Sequence, residues 1–80
     1  MITITAPDDV SPGAMVCVTV TSPSSPDVKV TSSAGEVGSV VEKTGSSSYK
    51  ITFRAPKHSD ALIEVRGANG DAASAWVFVG

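Results

Sequence analysis

Tyr49-Lys50-Ile51-Thr52-Phe53-Arg54-Ala55-Pro56 is the stretch whose reading decides the fold. Tyr49, Ile51, Phe53 and Ala55 alternate with Lys50, Thr52 and Arg54, the period of a strand with one apolar and one wet face. Pro56 cannot donate to a ladder and stops the strand. The same cadence appears upstream over Ala14 to Thr21, with Val16, Val18 and Val20 on one row and Cys17, Thr19 and Thr21 on the other. Downstream, Ala61, Ile63 and Val65 form an inward row with Glu64 and Arg66 outward, and a last strand runs from Ala75 to Val79.

Weaker strands fill the gaps. Ile2 and Ile4 alternate with Thr3 and Thr5 before Ala6-Pro7-Asp8-Asp9 breaks the pattern. Val28 and Val30 make a short strand ended by Ser32-Ser33-Ala34-Gly35. Val37 to Lys43 is a further segment whose register is ambiguous, because Val40 and Val41 are adjacent. Turn residues separate all of these: Ser11-Pro12-Gly13, Ser22-Pro23-Ser24-Ser25-Pro26, Thr44-Gly45-Ser46-Ser47 and Gly67-Ala68-Asn69-Gly70-Asp71. Asn-Gly suits a hairpin turn because both residues tolerate positive φ.

Composition agrees. Among 80 residues valine occurs twelve times, leucine once and glutamine never, while serine and threonine fill nineteen positions. Branched and hydroxyl residues fit a pleated surface and lose rotamer freedom in helices. Seven strands with no helix predict an all-β, seven-stranded antiparallel sandwich spanning residues 1–80 as one domain. Chain length limits the folded surface to roughly 4,500 Å² of about 11,700 Å² unfolded. That core suffices for folding and leaves no room for a deep enclosed pocket.

With Gly45 before it, the Tyr49 to Pro56 stretch, followed by the Ala61 to Arg66 strand, the Gly67 to Asp71 turn and an apolar terminal strand, resembles immunoglobulin-like domains across essentially the whole chain. The likeness is to bacterial and phage Ig-like modules and to filamin-type repeats. Two departures separate it from antibody-type domains. Cys17 is the single cysteine, so no intrachain disulfide can form, and the one tryptophan, Trp76, lies in the last strand and not the third. The resemblance implies a fold and says little about function.

Several functions lose their footing in the sequence. Net charge is −2, with no basic excess for a nucleic acid. No apolar run is long enough to span a membrane, and Met1-Ile2-Thr3-Ile4-Thr5 alternates where a signal peptide would be basic and then apolar. His58 and Cys17 are single and fall on different elements, without a third group to orient an imidazole. The expectation is no enzyme, no cofactor and no metal. Asp8-Asp9, Asp27 and Asp71 could offer oxygen ligands to calcium, but no Asp-x-Asp-x-Asp-Gly loop is present and acids at strand ends commonly serve turns. Arg66-Gly67 is followed by an acidic residue only at Asp71, so an Arg-Gly-Asp adhesion loop is absent.

The last strand stands apart because both of its rows are apolar: Ala75, Val77 and Val79 on one, Trp76 and Phe78 on the other. Either the aromatic pair fills the core and the small residues face out, or one row covers a neighbouring subunit, since aromatics concentrate in interface cores. On the second reading Trp76 and Phe78 are interface residues, with Met15 on the row opposite Val16. The terminal strand Ile2, Thr3, Ile4 and Thr5 could add its edge to a neighbour's sheet.

A methionine directly before the first strand, and a chain that closes on the last, are the marks expected of a bacteriophage virion component made in the host cytoplasm. Such a capsid decoration or tail-surface protein would bind capsid or tail proteins, or itself as a homo-oligomer. An Ig-like spacer or adhesion module belonging to a larger bacterial surface protein is the alternative. A carbohydrate-binding sandwich is a third reading, with Trp76 and Tyr49 as aromatic platforms; Tyr49 shares the row of Ile51 and Phe53, which argues for core.

Overall fold

The computed structural model describes residues 2–33, 35–68 and 70–80. These form nine strands: β1 (Thr3–Thr5), β2 (Asp9–Val10), β3 (Met15–Thr21), β4 (Asp27–Ser32), β5 (Gly35–Val37), β6 (Ser39–Lys43), β7 (Ser48–Arg54), β8 (Ala61–Arg66) and β9 (Ala72–Val79). They build a four-stranded sheet in the order β1-β3-β7-β6 and a five-stranded sheet in the order β2-β9-β8-β4-β5. No helix among the described residues is long and apolar enough to cross a membrane.

The alternation in the sequence sets the layers. Val16, Val18 and Val20 of β3 lie opposite Phe53, Ile51 and Tyr49 of β7 in register, and all six are buried. From the other sheet Val30, Ala61, Ile63, Val65 and Val77 close over them, each at most 1% exposed. A one-residue slip in any of these strands would turn its valines and isoleucines to water, so the burial fixes the register. Total exposed surface is 4741 Å², close to the value expected from chain length, so the sandwich is closed.

Two strands beyond the expected seven appear, and one pairing breaks the antiparallel expectation. Asp9 and Val10 form β2, which runs parallel to the end of β9. The Phe78 N–H donates to the Asp8 carbonyl at 3.0 Å and the Gly80 N–H to the Val10 carbonyl at 3.1 Å. A two-residue strand carries no periodicity, and its neighbours Pro7 and Asp8 read as a break. The segment expected over Val37 to Lys43 divides at Gly38: β5 pairs with β4 in one sheet, while β6 pairs with β7 in the other. The chain therefore crosses between sheets there; Val40 and Val41 both lie in β6 beyond the crossing, and both are exposed. The last strand also starts earlier than expected, at Ala72.

Turn chemistry holds where it can be seen. Pro12 and Gly13 occupy the central positions of a turn in which the Ala14 N–H reaches the Ser11 carbonyl at 3.1 Å. Gly13 has φ +75°, the left-handed conformation that the second central residue of a type II turn requires. In the β8–β9 hairpin Gly70 has φ +79° and the Gly67 N–H donates to the Asp71 carbonyl at 2.8 Å; Asn69 lies outside the described residues, as does Ala34 of the β4–β5 turn and Met1. Ser22 is fully buried between sheets and loop, and its hydroxyl donates to the Ser24 carbonyl at 2.7 Å.

Ile63 and Ile51 face each other's sheets at the centre of this core. Ile63→Ala is expected to lower unfolding free energy by ~2–5 kcal/mol, a large fraction of a small domain's total. Urea denaturation followed by circular dichroism reads this directly.

Candidate functional site

Strand β9 sorts its own two rows. Its register against β8 places Ala75 opposite Ile63 and Val77 opposite Ala61, so Ala75 and Val77 join the inward row and Val77 is fully buried. Trp76 and Phe78 consequently point outward and are 56% and 50% exposed. Of the two arrangements left open by the sequence, the one with the aromatic pair in the core is excluded. The inner space is already taken by side chains of four other strands, Tyr49 and Phe53 among them, and two further large rings would overfill it.

Around the aromatic pair the outer face of the five-stranded sheet is built from cross-strand rows. Thr31, Leu62 and Trp76 line up across β4, β8 and β9. Beyond them Lys29 lies opposite Glu64, and Asp27 opposite Arg66, so opposite charges alternate along the face. Such pairs contribute roughly 0.2–1 kcal/mol each. The row Lys50, Thr52 and Arg54 belongs to β7 in the other sheet, where Glu42 faces Lys50; it does not meet Glu64 and Arg66.

At one end of that face the loop ahead of β8 rises into a wall. The β8–β9 ladder ends at Ala61 and Val77, and the Val79 N–H would lack a strand partner. The Asp60 carboxylate takes that place, with Oδ1 accepting from the Val79 N–H at 3.0 Å. Together with His58, Ser59, Thr31, Leu62 and Trp76 it borders an open concavity of about 560 Å³. The Ser59 hydroxyl is buried and has no hydrogen-bond partner among the described residues.

The residues singled out in the sequence thus separate. Trp76 and Phe78 share one face. Met15, 57% exposed, lies opposite Arg54 on the outer face of the four-stranded sheet, on the other side of the sandwich. Strand β1 is an edge strand, hydrogen-bonded only to β3 within its sheet; Thr3 and Thr5 are exposed, Ile4 is half-buried and Ile2 is buried in the core. Tyr49 is 5% exposed, so it offers no platform beside Trp76. Cys17 is an exposed free thiol. Among the described residues no group of three or more His, Cys, Asp or Glu side chains could hold a metal ion. Leu62, Ser59 and Asp60 were not marked by the sequence. Leu62 carried one signal, an apolar residue on the outward row of Glu64 and Arg66.

This arrangement of two sheets has a solved counterpart. The chain superposes on the crystal structure of the Lin-41 filamin domain with a TM-score of 0.76, covering 99% of this chain and 91% of that one at 10% sequence identity. The fold is an immunoglobulin-like β-sandwich. No family model matches the sequence, and no curated protein matches it. At this identity the likeness carries the architecture alone, so the bacterial or phage form of the resemblance stays an expectation.

Trp76→Ala should change stability by no more than ~0.5 kcal/mol, as for other surface positions, while Val77→Ala beside it should cost ~2 kcal/mol from lost burial and cavity. As the single tryptophan, Trp76 should also be quenched by acrylamide in the native state nearly as well as in urea. Asp60→Ala leaves the Val79 N–H unpaired and should cost ~1–2 kcal/mol, with faster hydrogen exchange at that amide; Asp60→Asn, which keeps an acceptor, should recover most of it.

Proposed function

We propose that this chain is a non-enzymatic binding module that docks onto a protein surface through the outer face of its five-stranded sheet, with Trp76 and Phe78 as anchors. One observation carries the reading: the two largest rings outside the core stand half-exposed side by side on β9, on a sheet whose outer rows on β4 and β8 hold Leu62 and otherwise threonine and charged residues. Exposed aromatics bordered on one side by paired opposite charges resemble an interface, apolar at its centre and polar at its rim. Tryptophan in such a position commonly supplies a disproportionate share of binding energy. The absence of a reacting constellation in the sequence leaves recognition as the work the fold can do.

The specific form we favour is a bacteriophage virion component, a capsid decoration or tail-surface protein held on the particle by this face. A small disulfide-free domain with an exposed thiol suits synthesis in a reducing host cytoplasm, and a particle offers many copies of one protein surface. The free edge of β1, Thr3 to Thr5, provides a second contact by strand addition, and Met15 a separate one on the opposite side. A spacer or adhesion module within a larger bacterial surface protein is the competing form.

Mass spectrometry of particles purified from the strain that carries the gene should find the chain in stoichiometric amounts with the major capsid or tail protein. Recovery in the cell envelope, as part of a longer polypeptide, would replace the virion form with the spacer. Purified particles stripped of the chain should rebind it, and Trp76→Ala with Phe78→Ala should weaken rebinding at least tenfold, a loss of about 1.4 kcal/mol or more. Unchanged rebinding would refute the aromatic face. Light scattering on the free chain tests the homo-oligomer: a closed oligomer that dissociates in the double variant would make the second copy the occupant of this face.

A further inference from the structure

We infer that the concavity beside Trp76 is a binding site for a neutral saccharide, a function beyond protein docking; the two share Trp76, so a protein seated on this face would exclude the sugar. The floor is the cross-strand row Thr31, Leu62 and Trp76, and the wall is the loop that carries His58, Ser59 and Asp60. Its volume of about 560 Å³ lies within the ~300–1,000 Å³ of small-molecule sites, and it is open to water along one side.

The chemistry of the lining selects the ligand. A pyranose presents an apolar C–H face and a rim of hydroxyls, each both donor and acceptor. Trp76 offers a half-exposed ring for the first, and the lining offers a mixed set for the second: the hydroxyl of Thr31, the imidazole of His58 and the carboxylate of Asp60. Asp60 is held in place because Oδ1 already accepts the Val79 N–H, a bond made without ligand.

Charge narrows the class further. Asp60 is the one carboxylate in the lining and no lysine or arginine stands in it, so phosphorylated, sulfated and acidic sugars find no fixed cation to pair with, and neutral hexoses need none. A cation would need more than one carboxylate.

The test uses the intact chain, labelled with ¹⁵N and titrated with the methyl α- and β-glycosides of glucose, galactose, mannose and N-acetylglucosamine. The single tryptophan gives one indole N–H resonance, an unambiguous reporter. The expected result is saturable shifts at that resonance and at the amides of Ser59 and Asp60 for at least one glycoside, with a dissociation constant on the order of 0.1–1 mM, as weak contact with an open site allows. Trp76→Ala should weaken binding at least tenfold. Thr31→Val, which keeps the shape of the floor and removes its hydroxyl, should weaken it severalfold while the melting temperature of the free domain holds; a merely structural threonine would lower both. Val40→Thr, on the outer face of the other sheet, should leave the titration unchanged. No saturable shift with any of these glycosides up to about 20 mM would overturn the proposal. So would binding that Trp76→Ala and Thr31→Val leave intact.

Discussion

Everything in this domain depends on the closure of two inward rows over each other. Val16, Val18 and Val20 with Tyr49, Ile51 and Phe53 form one wall; Val30, Ala61, Ile63, Val65 and Val77 form the other. No disulfide or metal supplements that closure among the described residues, and a chain of this length has little apolar area to spare. The stability of the domain is therefore concentrated in a dozen side chains of two strand pairs, β3–β7 and β8–β9, with β4 alongside.

That closure has a consequence for the surface. Because valine, isoleucine, Tyr49 and Phe53 already fill the interior, no space is left for two further rings, and the strand that carries both tryptophan and a phenylalanine turns them out. The outer face of the five-stranded sheet is what results: an aromatic pair on β9, a threonine–leucine–tryptophan row, and charges paired across β4 and β8. The loop ahead of β8 borders the same face because Asp60 completes the hydrogen bonding of β9 where the ladder ends. One structural need, an acceptor for the Val79 N–H, thereby fixes a carboxylate beside Trp76. Recognition and folding share that residue, so variants there call for a stability measurement beside any binding measurement.

The two-sheet architecture puts the aromatic pair and the concavity on one sheet and the edge strand β1 on the other. Met15 and Trp76 look outward from opposite sides of the sandwich, so a partner that touches both would have to wrap the domain or be present in two copies. This separates the contacts that the sequence grouped together by composition.

The sequence by itself determined the strands whose alternation is complete, β3, β7 and β8, together with which of their rows is buried, because a period of two with valine or isoleucine against threonine, lysine or arginine has only one low-energy orientation. It determined the absence of an intrachain disulfide through Cys17 alone. Only the tertiary structure decided the rest. The two rows of β9 are both apolar, so local pattern could not rank them; pairing with Ala61 and Ile63 did. The strand β2 is too short for any period and exists because β9 leaves an edge to be paired. The crossing at Gly38 is set by which sheet has an open edge for β6, a property of neighbours distant in sequence. The concavity beside Trp76 joins residues of three strands and a loop that no spacing in the chain connects. Side-chain period is local and legible; the choice of partner is global, and it is the partner that gives a half-apolar strand its inside.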